Sequence, residues 1–295
     1  MPMASEDGSC HIVLNGEIYN FQELRDQLIS KGYRFRSRTD TEVVVNLYHA
    51  YGVDCLRHLR GMFAFAIWDG RKKTLLLARD RVGKKPLFYY LNDRAIWFAS
   101  EPKAFLADPD VPREPDPIAL HHYLTYQYVP SPFSAFRGVR KLPPAHYLCL
   151  ELGKPPRIER YWKLHYTPKI HCSEAALCEE LRERLREAVR LRLISDVPLG
   201  AFLSGGLDSS AIVAFMSEQL GGGVKTFSIG FEEDAYNELP YARQIAQRFH
   251  TEHHEFIVKP NAIEVLPNLV WHYNEPYADS SACPRGIFPS WCGST

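Results

Sequence analysis

One short stretch joins residue types and spacing that could do phosphate chemistry: Ser204-Gly205-Gly206-Leu207-Asp208-Ser209. Glycines let backbone N–H groups approach phosphate oxygens, and a helix starting just after them contributes its positive end. Serine hydroxyls add donors, and Asp208 could hold Mg2+, which bridges phosphates through oxygen ligands. The stretch is not a Walker A loop, because the Gly-Lys-Ser/Thr ending is absent, and it is not GxGxxG. A tight strand-to-helix turn with no ligand explains a glycine pair equally well. Thiol chemistry has less support. The 7 cysteines are scattered at 10, 55, 149, 172, 178, 283 and 292, with no CxxC and no Cys/His spacing for zinc, so they read as free thiols in a reducing cytoplasm.

The loop needs a strand before it and a helix after it, and the pattern supplies both. VPLGAFLS reads as a buried strand and SSAIVAFMSEQL as a helix. TFSIGF (226–231) is a second strand, ELPYARQIAQRFH a helix and HHEFIV (253–258) a third strand. This alternation predicts a parallel sheet, preceded by an amphipathic helix over 174–195. The first half reads differently. HIVLNGEI (11–18) is an apolar run, followed by helices over 21–32 and 39–52, the latter capped by Thr39 or Asp40. Aromatic and β-branched runs at 62–70, 74–82, 86–91 and 95–101, split by DG, VGKK and ND turn signals, predict antiparallel strands in a layered α+β domain. The Pro-rich stretches DPDVPREPDP, VPSPF and KLPPAH read as extended connections.

Composition removes some classes. Lys+Arg and Asp+Glu are both 35, so net charge is zero, which argues against a general polyanion binder; no nucleic-acid partner is expected. The start MPMASEDGSC carries no signal segment and no apolar run reaches bilayer length, so a soluble cytoplasmic protein with no membrane partner is expected.

In its strand–loop–helix setting, residues 204–209 resemble the SGGxDS signature of the ATP-pyrophosphatase, or PP-loop, family. NGEIYN (15–20), TDTEVVVNLY, GMFAFAIWD, LLLARDRVGKKPLFYY and FASEPKA are similar in order and spacing to the amidotransferase domain of the glutamine-hydrolysing asparagine synthetases. The combined resemblance runs from about residue 3 to about residue 282. It implies an α+β layered sandwich of the N-terminal-nucleophile glutaminase type over 1–165 and an α/β parallel-sheet PP-loop ATP-pyrophosphatase domain over 172–295, both incomplete. It implies that backbone near Phe202, Leu203, Ile229 and Gly230 frames adenosine, while Ser204, Gly205, Gly206, Asp208 and Ser209 frame pyrophosphate and its Mg2+. It further implies that Asn15 and Gly16 donate to an oxyanion and that Glu17 and Asp40 hold the glutamine α-amino group, chemistry for which carboxamide, backbone N–H and carboxylates are suited. Read alone, Asn15-Gly16 is a turn dipeptide and Asp40 a helix cap.

The implied reaction uses glutamine, aspartate and ATP, with a homodimer possible. Alternatives are a related amidotransferase acting on another carboxylate, in cell-surface polymer or secondary-metabolite biosynthesis, and a non-catalytic remnant. The resemblance calls for an N-terminal Cys-Gly-Ile; this chain starts MPMASEDG, and internal Cys10 has no α-amino base. The expectation is therefore a fragment that hydrolyses no glutamine and has weak synthesis, with exposed apolar surface. WHYNEPYADSSA (271–282) fits the family with Asn274 where aspartate is usual, and Glu275 and Asp279 are either site carboxylates or solvated charges. The tail 283–295 shows no helical period.

Overall fold

Cys10–Ile18 forms the strand on which the first half is built. The computed structural model describes residues 2–231, 237–258 and 262–279. They group into two units: 2–166 with 272–278, and the described part of 167–271 with 279. In the first, β1 (Met3–Ala4) and β2 (Cys10–Ile18) lead to α1 (Phe21–Ser30), α2 (Asp40–Tyr51) and α3 (Cys55–His58). Then come β3 (Gly61–Asp69), β4 (Thr74–Arg79), β5 (Phe88–Leu91), β6 (Ile96–Ala99), α4 (Pro117–Tyr126), β7 (Arg140–Lys141), β8 (His146–Glu151) and β9 (Arg157–Arg160). One antiparallel sheet has the order β1-β2-β3-β4-β8-β9, and a second the order β6-β5-β7.

Side-chain alternation gives the large sheet two apolar faces. Ile12, Ile18, Phe63, Phe65, Ile67 and Leu76 pack against Leu24 and Leu28 of α1, Val43–Leu47 of α2 and Leu56 of α3. Ala64, Ala66, Leu77 and Leu148 face the other way, onto Leu87, Leu142, Tyr89 and Phe98. The unit is thus helices, sheet, sheet, which agrees with the layered α+β expectation. Thr39 rather than Asp40 caps α2, since Glu42 N donates to Thr39 Oγ1 at 3.3 Å.

Two stretches differ from the sequence expectation. The end of DPDVPREPDP opens α4: Pro117 occupies its first turn and Asp116 Oδ1 accepts from Ile118 N and Ala119 N at 2.9 and 3.3 Å. Proline suits a first helical position because that N–H has no helical partner. KLPPAH is connection only in its middle: Lys141 ends β7 and His146 opens β8, which pairs with both β4 and β9.

In the second unit α5 (Glu174–Arg192) precedes β10 (Gly200–Phe202), α6 (Leu207–Leu220), β11 (Lys225–Gly230), α7 (Leu239–Arg248), β12 (Glu252–Ile257) and α8 (Ala262–Tyr273). The sheet β10-β11-β12 is parallel, as the alternation predicts. Leu203 and Ala201 share a face and pack with Val213 of α6 and Ala242 and Ala246 of α7. On the opposite face Phe202, Phe227 and His254 stand in register, with Phe227 and His254 stacked at 5.2 Å. Exposed apolar residues include Leu207 (86%), Phe202 (70%) and Ile263 (84%), in line with the expected apolar surface. The stretch 271–282 was expected wholly in the second domain, yet 272–278 belong to the first unit. The tail 283–295 lies outside the described residues.

Candidate functional site

In the first unit the residues of interest gather at the C-terminal end of β2. Asn15 lies opposite Ala64 in the β2–β3 ladder, on the face turned to the second sheet. Its Nδ2 donates to Ser100 Oγ at 3.0 Å, just beyond β6. A carboxamide nitrogen carries two hydrogens, so one remains for another acceptor. Gly16 has φ +154°, and a Cβ there would meet Met62 O at 2.1 Å and Phe63 Cα at 2.7 Å. No side chain fits, which keeps the backbone of Asn15-Gly16-Glu17 against β3. Glu17 is exposed. Asp40 opens α2, and its Oδ2 accepts from Ile18 N at 2.9 Å, tying the helix start to the strand end. All four predicted residues therefore sit at one end of β2.

Two residues at this end were not singled out from sequence. Ser100 orients Asn15; its only signal was its place after the aromatic strand in FASEPKA. Asp80 is fully buried and accepts from the backbone N–H groups of Phe63, Val82, Lys84 and Lys85 at 2.9–3.2 Å. It organises the VGKK turn, and Arg79 completes the knot by donating to the carbonyls of Gly83, Lys85 and Leu142. Burial pushes the Arg79 guanidinium below its ordinary value, although Asp80 opposes this.

Cys10 lies five residues back along β2, about 17 Å at the usual rise per residue. It is buried, its Sγ accepts from Arg71 Nη2 at 3.5 Å, and burial pushes its thiol up. A thiol held protonated inside a core is not a nucleophile. Cys55 and Cys149 are buried in the same core.

In the second unit, residues 204–209 close a compact loop between β10 and α6. Ser204 Oγ and Ser209 Oγ lie 2.9 Å apart, Gly206 N donates to Ser204 Oγ at 3.2 Å, and Ser209 Oγ donates to Gly206 O at 3.2 Å. Gly205 has φ +80°, and a Cβ on it would meet Tyr241 Cβ at 2.5 Å and Ala242 N at 2.6 Å. Glycine is required there twice over, by backbone conformation and by the approach of α7. Gly206 is different. A Cβ there would meet only Ser204 Oγ, at 3.3 Å, so its lack of a side chain keeps the loop mouth open. Gly206 is also the N-cap of α6 and supplies no side-chain acceptor. The first-turn N–H groups of a helix have no helical partners, so this 14-residue helix begins with donors aimed outward. Asp208 lies in that first turn, because the helix starts at Leu207, two residues earlier than the pattern suggested.

The remaining predicted residues divide. Phe202 and Ser209 line an apolar cleft of about 420 Å³ bounded by α5, β10 and α6. Leu203 is buried and turned to the core, and its backbone is engaged on both sides: its N–H donates to Phe227 O at 2.9 Å and its carbonyl accepts from Ser228 Oγ. Ile229 and Gly230 are on the adjacent strand and do not line that cleft; a Cβ on Gly230 would meet Leu239 Cδ1 at 2.4 Å. Glu275 is neither a free site carboxylate nor a solvated charge, because Ala135 N and Lys141 Nζ engage its two oxygens within the first unit. Asp279 is exposed. Among the described residues no group of three His, Cys, Asp or Glu is arranged to hold a metal.

Fold and site together define a two-part protein: a layered sandwich with a polar strand end, and a parallel-sheet unit with an open glycine loop at a strand–helix junction. Residues 1–162 match the glutamine amidotransferase domain family, and residues 180–288 match the asparagine synthase family. The chain belongs to the family of glutamine-hydrolysing asparagine synthetases. It is 37% identical over 285 residues to asparagine synthetase [glutamine-hydrolyzing] 1 of Bacillus subtilis, covering 96% of this chain and 44% of the relative. It is 38% identical over 278 residues to putative asparagine synthetase [glutamine-hydrolyzing] 2 of Methanocaldococcus jannaschii, covering 92% and 53%. The chain thus spans about half the length of these relatives. A protein named amidase chyE from Penicillium rubens is 32% identical, with 96% of this chain and 44% of that protein covered. Among solved structures, glutamine phosphoribosylpyrophosphate amidotransferase from B. subtilis covers 88% of this chain and 64% of its own, at 15% identity and TM-score 0.40. No described helix is long and apolar enough to cross a membrane.

Proposed function

We propose that the second unit is a PP-loop ATP-pyrophosphatase domain that adenylates a substrate carboxylate. The observation that carries this reading is the open loop at Gly205-Gly206, capped by no side chain and followed by α6, inside a segment that matches the asparagine synthase family. A carboxylate oxygen of aspartate attacks the α-phosphorus of ATP, and the bond to pyrophosphate breaks. Ammonia then attacks the acyl carbon and AMP leaves. Ser204, Gly206, Ser209 and the α6 N-terminus hold the departing pyrophosphate by N–H and O–H donors. Gly205 sets the loop's shape, and the backbone of Phe202 and Leu203 borders adenosine, with Ile229 and Gly230 beyond it on the next strand. The fit to Mg2+ is a single exposed carboxylate, Asp208, which suits an ion held chiefly by phosphates. When bound, the ion neutralises phosphate charge.

The first unit, in this reading a domain of the N-terminal-nucleophile glutaminase type, binds glutamine at the end of β2, where buried Cys10 cannot attack the amide, and the proposed synthesis draws on free ammonia. Asn15 Nδ2 and Gly16 N donate to the oxyanion, while Glu17 and Asp40 hold the α-amino group. Ser100 fixes the Asn15 carboxamide. Cytoplasmic location and a homodimer belong to the same proposal. The domain boundaries we propose are 1–165 and 172–295, with 272–278 returning to the first.

The test is pyrophosphate release with aspartate, ATP and Mg2+, using ammonium as the nitrogen donor. Release that depends on aspartate supports the reading; ATP turnover indifferent to every carboxylate offered sinks it. A second reading, transfer to a different carboxylate, is favoured by the similarity to a protein named an amidase rather than an asparagine synthetase. Release with another amino-acid or polymer carboxylate, and none with aspartate, would select it.

A further inference from the structure

The segment after α8 carries an arrangement that neither proposed reaction uses. Asn274 has φ +62°, a conformation that asparagine tolerates better than most residues. Its Oδ1 accepts from Lys103 N at 2.8 Å, and its Nδ2 donates to His272 O at 2.7 Å. An aspartate could make the first bond but not the second, which gives this position a reason to be asparagine. Glu275 Oε1 accepts from Ala135 N at 2.8 Å, and Glu275 Oε2 pairs with Lys141 Nζ at 2.6 Å. Lys141 also donates to Val129 O at 2.6 Å. Ala278 N donates to Gln127 O at 3.1 Å, and Tyr273 stacks on Tyr277 at 4.8 Å. The Lys141 and Glu275 side chains are only 14% and 12% exposed, which sets this pair apart from the chain's solvated ion pairs. Removing one partner of such a pair leaves the other charge buried.

The segment lies within the asparagine synthase match, yet it is seated in the unit that carries the amidotransferase match. We infer that Glu275 is the keystone of a latch that seats 272–278 on the first unit through the 127–141 loop and the turn at Lys103. Charge and acceptor geometry at one carboxylate hold three separate backbone contacts together, so these contacts open as a unit.

Amide hydrogen exchange on the full chain tests the latch without requiring turnover. In Glu275→Gln and Lys141→Met, exchange at Ala135, and also at the remote amides of Lys103 and Ala278, should rise at least tenfold, while amides of β3 stay unchanged. The double variant should be no worse than the poorer single variant. Loss of protection at Ala135 alone, or at β3 as well, would overturn the latch.

Discussion

A methyl group at Gly205 would run into the backbone of α7 and would sit at φ +80°, where side chains are strained by roughly 1–3 kcal/mol. Gly205→Ala should therefore weaken ATP·Mg2+ binding at least tenfold, about 1.4 kcal/mol, as read by titration calorimetry. Gly206→Ala should weaken it with less loss of fold, since its Cβ meets only a serine hydroxyl. Cys10 is the opposite case. Its buried, raised thiol lies far from Asn15, so Cys10→Ser should leave any glutamate release unchanged within about twofold while lowering the melting temperature. Loss of glutamate release in that variant would contradict the assignment of the strand end as the glutamine site. The loop chemistry was legible in sequence because a phosphate cradle is local: six consecutive residues between a strand and a helix suffice. Ser100 and Asp80 were not, because their roles depend on contacts to Asn15, 85 residues away, and Phe63, 17 residues away.

At the scale of elements, α2 is anchored by side chains at its start. Thr39 caps it, Asp40 accepts from Ile18 N, and Glu42 accepts from Arg36 N, Ser37 N and Ser37 Oγ at 2.5–2.7 Å. Burial pushes the Glu42 carboxyl up, but these hydrogen bonds outweigh it and leave the group below its ordinary value. A depressed carboxyl stabilises the fold above the unfolded value of about 4.3 and loses that contribution as pH falls through the lower folded value. Glu42→Gln should lower the melting temperature at pH 7, and the gap to the unaltered protein should close as the pH is taken below about 4. A gap constant with pH would show that the carboxylate's charge is not what holds the turn. The strands and helices flanking both sites could be read from periodicity. The connections were harder: prolines in DPDVPREPDP suggested chain with no element, whereas Pro117 and Asp116 together start α4.

For the whole molecule, the two sites lie in separate units, and residues 272–278 belong with the first although their sequence match belongs with the second. No periodicity could reveal that return, because it is made by one carboxylate, one carboxamide and a few backbone groups distant in sequence. Sequence did anticipate the apolar surface now seen at Leu207, Phe202 and Ile263. Exposure on this scale should make the native chain bind a hydrophobic dye and associate as concentration rises, measured by fluorescence and sedimentation. The most direct test of the central claim, that residues 204–209 form an ATP-binding loop of an adenylating enzyme, is a calorimetric titration of the folded chain with ATP·Mg2+. Saturable one-to-one binding that Gly205→Ala weakens at least tenfold is the expected result; no heat from a protein with an intact thermal transition, or binding unchanged in that variant, would contradict the claim.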